Sequence, residues 1–313
     1  MRYRTLGRNG PEVSVVGLGG NNFGSRLDGE GTRAVVHAAL DAGITLFDTA
    51  DIYGAHGGGS AGDSERLLGA LLKGRREQVV VATKFGMNMG ADDDLHGPRG
   101  SRGYIRHAVE GSLRRLGTDY LDLYQYHEPD GVTPLAETVA VLDELISEGK
   151  IRQAGCSNMT PEMLAEAGKA FVSVQARYHL LDRTVETGLV PVCERLGVGI
   201  LPYYPLANGL LSGKYRRGEP PPPGSRLSWR EGWLTEAALD RVEALSAYGA
   251  ERGLTLLDVA VGGLAALPAV GSVICGAMTP EQVTANAAAA AWQPTAAEKA
   301  ALDEIVAPGE RVV

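Results

Sequence analysis

The chain has 313 residues, of which 44% are hydrophobic and 22% are charged, a composition typical of soluble globular proteins rather than disordered or membrane-spanning ones. Its 30 basic and 38 acidic side chains give a net charge of −8, which disfavours a nucleic-acid partner bound through its backbone charge. The first residues lack the apolar core of a signal peptide, and no run is long and apolar enough to span a membrane. Only three cysteines are present. We therefore expect a cytoplasmic protein with no membrane partner and no disulfide bond.

The N-terminal residues predict a small β-hairpin before the main fold. Two short segments, Tyr3–Leu6 and Val13–Val15, flank the turn-forming residues 7–11. The next strand ends in glycines, at Val15–Gly20, which resembles a dinucleotide-binding fingerprint. Asn22, however, stands where the third glycine of G-x-G-x-x-G is required, so the pattern argues against a Rossmann domain.

From residue 33 the sequence alternates between amphipathic helices and short apolar strands, and several helices end at a glycine. The predicted helices are Arg33–Ala42, Glu65–Leu72, Tyr104–Leu116, Pro134–Glu148, Pro161–Gly168, Val185–Leu196, Glu236–Arg252 and Leu256–Leu267. The predicted strands are Val15–Gly19, Ile44–Phe47, Val79–Thr83, Leu121–Tyr126, Ile151–Cys156, Val172–Gln175, Val198–Leu201 and Ser272–Cys275. Because nothing in the pattern begins a second domain, we expect one α/β domain over residues 1–313, a single (β/α)8 TIM barrel with an N-terminal hairpin and C-terminal helices.

Four polar side chains fall at the carboxyl ends of three successive predicted strands. Asp48 and Tyr53 follow the second strand, Lys84 the third and His127 the fourth. In such a barrel these strand ends share one rim, where the chemistry of the fold is found. A single Tyr or His there is often only a packing residue, and a buried lysine needs a counter-ion, for which Asp48 is suitable. Packing residues would seldom fall at equivalent rim positions, so the set predicts a catalytic cluster.

These residues and their surroundings resemble the aldo-keto reductase family. The similar segments are Phe47–Gly54, Ser64–Gly69, Thr83–Lys84 and His127. The resemblance extends over almost the whole chain and implies the family's Asp, Tyr, Lys and His tetrad. It also implies an enzyme that uses NAD(P)H to interconvert a small-molecule carbonyl compound (aldehyde, ketone or sugar) and its alcohol.

The expected mechanism assigns a role to each member of the tetrad. Tyr53 donates a proton to the developing alkoxide during reduction, and it acts as base in the reverse direction. Lys84 lowers the pKa of this phenol, and Asp48 keeps Lys84 charged and oriented. His127 positions the carbonyl oxygen by donating a hydrogen bond.

Three further segments resemble the family's cofactor-binding motifs. Gly155–Asn158 and Val174–Tyr178 are similar to the segments that bind the carboxamide side of nicotinamide, which implies roles for Ser157, Asn158 and Gln175. In the segment from Pro202 to Tyr215, the resemblance implies that Tyr203 stacks on the nicotinamide ring and that the cofactor also meets Pro205, Leu206, Gly209, Leu211, Ser212 and Lys214. The adenine end is implied to bind at Gly276, Met278, Thr279, Gln282 and Asn286.

The residues at the adenine end bear on cofactor preference. Relatives that prefer NADPH commonly carry Lys or Arg at the positions of Gly276 or Met278, and Arg at that of Gln282. None of these cations is present. The resemblance still favours NADP(H), with NAD(H) as the other possibility, so we expect NADP(H) to be used with weak discrimination. A basic side chain of the Lys214–Arg217 loop is an alternative holder of the 2′-phosphate.

Other departures from the family pattern concern the substrate. The loop Ala55–Asp63 is longer than expected, Tyr204 stands where serine is common, and His179 replaces the usual asparagine. The candidate pocket residues, which are equally suited to ordinary packing or surface positions, are His56, His96, His179, Trp229 and Trp233. The sequence indicates neither a specific substrate nor an oligomeric state.

Two other classes of protein remain as alternatives. A regulatory or sensor subunit would keep the nicotinamide site with little turnover, as the potassium-channel β subunits of this family partly do. A metal-dependent barrel hydrolase lacks ligands, because His127-Glu128 does not continue as H-E-x-x-H and no Cys or His pair has ligand spacing, so we expect no metal.

Overall fold

The computed structural model of the chain describes residues 1–55, 58–90 and 93–313, without the side chains of 93 and 94. A two-stranded antiparallel hairpin, formed by β1 (Tyr3–Thr5) and β2 (Glu12–Ser14), precedes a sheet of eight parallel strands. The eight are β3 (Val16–Gly19), β4 (Leu46–Asp48), β5 (Val80–Phe85), β6 (Leu121–Tyr126), β7 (Ile151–Ser157), β8 (Ser173–Arg177), β9 (Gly199–Tyr203) and β10 (Val273–Gly276).

The eight strands form a nearly closed barrel with flanking helices. Strand β10 pairs with β3, and pairing then runs in sequence order to β9. The remaining gap is spanned just before β10, where Ile200 N donates to Ala269 O and Gly271 N donates to Ile200 O. The predicted (β/α)8 TIM barrel is therefore confirmed.

Ten α-helices are described around this barrel. They are α1 (Gly29–Asp41), α2 (Asp63–Leu71), α3 (Arg102–Leu116), α4 (Leu135–Ser147), α5 (Pro161–Ala167), α6 (Leu189–Leu196), α7 (Glu236–Ala250), α8 (Leu256–Ala265), α9 (Pro280–Ala289) and α10 (Ala296–Ile305). No helix in the described ranges combines the length and apolar character that crossing a membrane requires. We propose that residues 1–313 form one domain, for which calorimetry should record a single unfolding transition.

The barrel interior is filled by small and branched apolar side chains. The hairpin contributes Leu6 and Val13, which pack against a layer of strand residues made of Leu46, Val80, Ala82, Leu123, Leu201 and Ile274. Because Arg8 N donates to Gly197 O, just before β9 begins, the hairpin covers the amino-terminal end of the barrel. The opposite end, where the strands finish, is left for chemistry.

Several predicted boundaries are wrong by a few residues. Strand β4 includes Asp48 and β5 extends to Phe85, so two tetrad residues lie within strands rather than after them. The predicted helix Val185–Leu196 is wrong in its first turn, where a 3-10 turn at Thr184–Glu186 precedes α6. The residue before α6 is Gly188, which has no side chain to accept hydrogen bonds from the first N–H groups of the helix. Helix α1 begins at Gly29 because Asp28 caps Gly31 N.

Candidate active site

The four predicted catalytic residues meet at the carboxyl-terminal rim of the barrel. Asp48 is the last residue of β4, Lys84 lies near the end of β5, and His127 follows β6 directly. Tyr53 lies in the turn after β4, and its ring is 5.9 Å from that of His127 in an edge-on arrangement. The parallel register, which pairs Asp48 with Ala82 and Lys84 with Gln125, brings these strand ends to one level.

Lys84 is the centre of the cluster. Its side chain is fully buried, and Nζ donates to Asp48 Oδ2 at 2.6 Å, to Thr49 O at 2.9 Å and to Tyr53 Oη at 3.2 Å. An ammonium group has three N–H donors, so every one has a partner. Burial would lower the pKa of Lys84, but the charge of Asp48 and then that of Tyr53 raise it above its ordinary value. The lysine is therefore held in its charged form.

Asp48 is held in place by two amides as well as by Lys84. Its Oδ1 accepts from Gln175 Nε2 at 2.8 Å and from Gln125 Nε2 at 3.2 Å, while its side chain is only 3% exposed. A buried carboxylate whose acceptor sites are filled keeps its orientation. Gln175, expected to bind the cofactor, thus has its amide nitrogen engaged with Asp48. Sequence reasoning missed the role of Gln125, which pairs with Lys84 in the strand register and was detectable only as a polar residue in an apolar strand.

Lys84 lowers the pKa of Tyr53 as expected, but the pKa of Tyr53 is nevertheless raised above its ordinary value. Burial raises the pKa of Tyr53, and the opposing effect of Lys84 does not bring it back to the ordinary value, partly because Asp48 also raises it. The expectation of a lowered phenol pKa is therefore wrong, since desolvation of the phenolate outweighs the nearby cation. Tyr53 is a neutral phenol at neutral pH.

His127 is a neutral imidazole facing Tyr53. Burial, followed by the charge of Lys84, lowers its pKa to about 3. Its Nδ1 is buried and has no hydrogen-bond partner among the residues that the structure describes. The backbone oxygen of His127 accepts from Asn158 Nδ2 at 3.0 Å, which ties the end of β6 to that of β7.

The predicted cofactor residues begin beside this cluster. Ser157 is the buried last residue of β7, and Asn158 follows it with a positive φ of 56°. Asn158 Oδ1 accepts from Tyr203 Oη at 2.8 Å, so one amide joins the rims of three strands. The ring of Tyr203 lies edge-on to that of Tyr204, with centroids 5.2 Å apart.

The segment after β9 has an unusual backbone. Within the described ranges, every non-glycine residue with positive φ belongs to this region or to the neighbouring end of β7: Asn158, Tyr204, Ala207 and Asn208. Gly209 continues the run with a φ of 96°. Such conformations are strained for residues with a Cβ, and they cluster at functional and ligand-holding sites.

The remaining residues of this segment are arranged along the same turn. Pro205 and Leu206 precede it, and Leu211 N donates back to Leu206 O at 3.1 Å. The side chain of Leu211 is fully buried in the core. Ser212 Oγ donates to Gly209 O at 2.6 Å, and Lys214 lies next to Gly209 with an exposed side chain.

The predicted adenine end lies at β10 and the start of α9. Thr279 caps the helix by accepting from Gln282 N at 3.4 Å, and Gln282 Oε1 accepts from Met278 N at 2.8 Å. Asn286 Nδ2 donates to Gly276 O at 3.5 Å and is nearly buried. The five predicted residues of this end therefore form one compact unit.

Three arginines near these segments were missed by sequence reasoning. Arg226 Nη2 donates to Asn22 Oδ1, Arg230 Nη1 to Asn208 Oδ1 and Arg26 Nη2 to Gly224 O, at 3.4, 3.4 and 3.3 Å. None of the three forms an ion pair with a carboxylate in the described part of the chain. Burial lowers the pKa of Arg226, and the charges of Arg26 and Arg230 lower it further.

Asn22 links this arginine cluster to the adenine end. Its Nδ2 donates to Ala277 O at 3.5 Å, while its Oδ1 accepts from Arg226. In the sequence, Asn22 stands out only as the residue that breaks the glycine fingerprint. By contrast Arg217, which belongs to the loop expected to supply a cation, forms ion pairs with three carboxylates of α7, namely Glu236, Asp240 and Glu243.

The candidate pocket residues take different positions. Trp229 is largely exposed, His96 stacks on His107 with ring centroids 3.7 Å apart, and His179 is fully buried near Trp233. His56 lies outside the described residues, as does Gly57 of the long loop after Tyr53. Over the described ranges, no group of three or more His, Cys, Asp or Glu residues is arranged to hold a metal ion.

Comparisons with known proteins agree with this arrangement. The model of the family described as "Aldo/keto reductase family" matches residues 15–307. The "L-glyceraldehyde 3-phosphate reductase" of Escherichia coli (strain K12) is 33% identical over 329 residues, covering 99% of this chain and 94% of that protein. The "Uncharacterized oxidoreductase YrpG" of Bacillus subtilis (strain 168) is 37% identical, with 90% and 89% covered.

A solved structure supports the same conclusion at the level of the fold. The "aldo-keto reductase AKR11C1 from Bacillus halodurans (holo form)" superposes with a TM-score of 0.81 at 32% identity, covering 97% of this chain and 96% of that one. Family model, relatives and fold all extend over nearly the full length. The chain therefore belongs to the aldo/keto reductase family of oxidoreductases.

Proposed function

We propose that the protein interconverts a small-molecule carbonyl compound and its alcohol with NAD(P)H, and that Tyr53 transfers the proton. The observation that carries this proposal is the position of Lys84, whose Nζ joins Asp48 Oδ2 to Tyr53 Oη in one buried chain of hydrogen bonds. Burying a lysine at a barrel rim costs desolvation free energy, so packing alone does not explain a cation held against a phenol at this position.

The geometry leaves the phenol proton of Tyr53 free to move. Tyr53 Oη accepts a hydrogen bond from Lys84, so its own hydrogen can point towards a substrate oxygen. An alkoxide is a much stronger base than a phenolate, so transfer from Tyr53 is favourable even though burial raises the pKa of Tyr53. The phenolate that results is stabilised by the charge of Lys84.

His127 completes the site as a neutral hydrogen-bonding group. With a pKa lowered to about 3, the imidazole carries no charge that would repel Lys84. A neutral imidazole can still donate one hydrogen bond to the carbonyl oxygen. The oxygen is then fixed between His127 and Tyr53, which polarises it and orients it for protonation.

The residues around the rim suit a dinucleotide cofactor. When bound, a nicotinamide cofactor supplies the hydride. Arg26, Arg226 and Arg230, which form no ion pair with a carboxylate among the described residues, provide the positive charge that a cofactor's phosphates require in a protein with a net charge of −8. The turn with positive φ values, the end of β7 and the start of α9 would hold its remaining parts. We favour NADP(H) over NAD(H) because Arg226 supplies, near Ala277, the cation that Gly276, Met278 and Gln282 do not.

A substrate panel tests the proposal. Aldehydes, ketones and sugars should be assayed in both directions with NADPH and NADH, and the names of the Escherichia coli relatives add phosphorylated aldehydes to the panel. We expect turnover with at least one aldehyde and a preference for NADPH. Tight cofactor binding without turnover on any substrate would contradict the proposal and support the regulatory-subunit alternative, which the complete tetrad does not favour. We retain the cytoplasm as the proposed location, to be tested by fractionation.

A further inference from the structure

Arg177 lies at the carboxyl-terminal rim of the barrel, where the proposed catalytic residues meet. It is the last residue of β8 and pairs with Tyr203, the last residue of β9. Side chains alternate along a strand, so Arg177 shares the inward face with Gln175, which contacts Asp48. The strand register therefore sets Arg177 beside Tyr203, at the same rim as Tyr53.

Arg177 shares its partners with a second arginine. Arg177 Nε is 3.6 Å from Asp182 Oδ2, and Arg311 Nε is 3.4 Å from the same oxygen. Arg311 Nε also donates to Val313 O at 3.2 Å, so the two guanidinium groups divide the same two acceptors and neither has Asp182 to itself. The Asp182 Oδ1 atom is occupied as well, since it accepts from Thr184 Oγ1 at 2.7 Å.

Arg177 also has unused hydrogen-bond donors. Its Nη2 donates to Val313 O at 3.0 Å, and its Nε is buried without a hydrogen-bond acceptor in the ranges that the structure describes. A guanidinium has five N–H donors arranged to match a carboxylate or phosphate. Its carbon lies 5.2 Å from the centroid of Trp233, an aromatic contact that fixes the plane of the fork.

His179 adds a second incomplete polar group two positions further along the chain. It is 0% exposed, and neither ring nitrogen has a hydrogen-bond partner among the described residues. Its ring lies 6.4 Å from that of Trp233. Burial and then the charge of Arg177 lower the pKa of His179 to about 3, so this imidazole is neutral. A buried polar group without a partner is unfavourable unless a ligand or water completes it.

We propose that Arg177, held by Trp233 and flanked by the buried His179, binds an anionic group of the carbonyl substrate, a phosphate or a carboxylate. This rests on the proposed function, in which Tyr53 reduces the carbonyl end of the same molecule. The substrates preferred by the protein are then aldehydes that carry a negative charge away from the reacting carbon. The competing explanation is structural: Arg177 only fastens residues 311–313 to the barrel through Val313 and Asp182.

Matched substrate pairs distinguish the two explanations. The kcat/KM ratio of glyceraldehyde 3-phosphate to glyceraldehyde measures recognition of phosphate, and that of succinic semialdehyde to butanal measures recognition of carboxylate. Loss of a charge-assisted contact should lower the ratio for the recognised anion in Arg177→Gln by about 10- to 100-fold. Arg177→Lys keeps the charge without the fork, so we expect an intermediate ratio.

Arg311→Gln is the control. It removes the same charge beside the same Asp182 from a side chain that is 58% exposed, and we expect both ratios to change by less than about three-fold. A fall in the phosphate ratio alone assigns the site to phosphate, and a fall in the carboxylate ratio alone assigns it to carboxylate. Unchanged ratios in Arg177→Gln, or an equal fall in Arg311→Gln, would overturn the proposal.

Calorimetric titration separates this proposal from the reductase function. Glyceraldehyde 3-phosphate and succinic semialdehyde are titrated into wild-type protein, Arg177→Gln and Arg177→Lys, each saturated with the oxidised cofactor, which has no hydride to transfer, so that binding is measured without turnover. Binding of at least one anion to the wild type that weakens in Arg177→Gln supports the subsite even where no substrate is reduced. A thermal melt accompanies each variant. Should Arg177→Gln fail to fold, Arg177→Lys serves in its place, and wild-type affinity in that folded variant would overturn the proposal.

Discussion

Lys84 Nζ lies 2.6 Å from Asp48 Oδ2, and the two side chains are 0% and 3% exposed. Gln175 and Gln125 fill the other carboxylate oxygen, so the pair has few unsatisfied groups. Breaking a buried pair from one side leaves an uncompensated charge, which costs more than exchanging the whole pair. The ion pair therefore fixes the amine under the hydroxyl of Tyr53.

Replacing Lys84 by Met should reduce both stability and turnover. The variant leaves Asp48 buried without its cation, so we expect the free energy of unfolding to fall by about 3–5 kcal/mol, as measured by chemical denaturation. Turnover should fall as well, because no charge remains to stabilise the Tyr53 phenolate.

The double variant Lys84→Met/Asp48→Asn is the control for this ion pair. It removes both charges and should regain part of the lost stability while turnover stays low. A Lys84→Met protein as stable and as active as the wild type would show that the ion pair has neither role.

Tyr53→Phe should fold and bind cofactor but lose most turnover. The substitution keeps the ring beside His127 and removes only the proton donor, and general acid catalysis is typically worth about 10²- to 10⁴-fold in rate. Cofactor fluorescence titration and steady-state kinetics measure the two properties separately. Tyr203→Phe provides a comparison, because it removes a hydroxyl whose hydrogen bond in the described part of the chain is to Asn158, and it should lower turnover by less than about ten-fold. Near-wild-type kcat in Tyr53→Phe would refute the assignment.

The pH dependence of reduction should be flat around neutrality. Burial lowers the pKa of His127 to about 3 and raises that of Tyr53 above its ordinary value of 10.0, so neither group changes protonation between about pH 5 and pH 9. Reduction uses the protonated phenol, which is present over this whole range. We expect a constant kcat/KM for an uncharged aldehyde. A transition with an apparent pKa of about 6 to 8 would contradict the neutral state of His127.

Oxidation should behave in the opposite way. It requires Tyr53 as a phenolate, whose population rises about ten-fold per pH unit below its pKa. The kcat/KM for alcohol oxidation should therefore increase steadily over about pH 6 to pH 9. A falling or flat profile would mean that another group accepts the proton.

The barrel and the tetrad were predictable because both follow from residue order. Parallel strands end at one rim, so Asp48, Lys84 and His127 had to come together once their strands were identified. Tyr53 follows the same strand as Asp48, and the resemblance to a family then supported its inclusion in the cluster. The exact ends of the strands were harder to predict, because hydrophobic periodicity does not show whether a strand stops at its last apolar residue or continues into the polar residue that follows.

The contacts of single side chains were not predictable. Gln175 donates to Asp48, and the complete burial of His179 depends on how the segments around Trp233 and Arg311 pack. Arg226 lies in a proline-rich stretch without periodicity, and only its folded position brings it to Asn22. The expectation of a lowered Tyr53 pKa failed for a related reason. Burial in the folded state raises this pKa by more than the charge of Lys84 lowers it, and the sequence does not show how deeply the phenol is buried.

Cofactor discrimination should respond to charge at the adenine end. Introducing Met278→Arg places a cation beside Gln282 and should tighten NADPH binding more than NADH binding, because a charge-assisted bond to phosphate is roughly twice as strong as a neutral one. Dissociation constants from fluorescence titration measure the effect. An unchanged NADPH-to-NADH affinity ratio would show that the 2′-phosphate is held away from Met278.

Arg226→Gln tests where the existing cation acts. Arg226 meets Asn22, which contacts Ala277 at the end of β10, so we expect this variant to weaken NADPH by about ten-fold more than NADH. Arg217→Gln is the matched control. It removes another arginine from the segment between β9 and α7, and the charge of Arg217 is already paired with Glu236, Asp240 and Glu243. The affinity ratio should not change in that control. Equal weakening of both cofactors in Arg226→Gln would instead place the guanidinium against the diphosphate that NADPH and NADH share, and the preference for NADPH would then lack its cation.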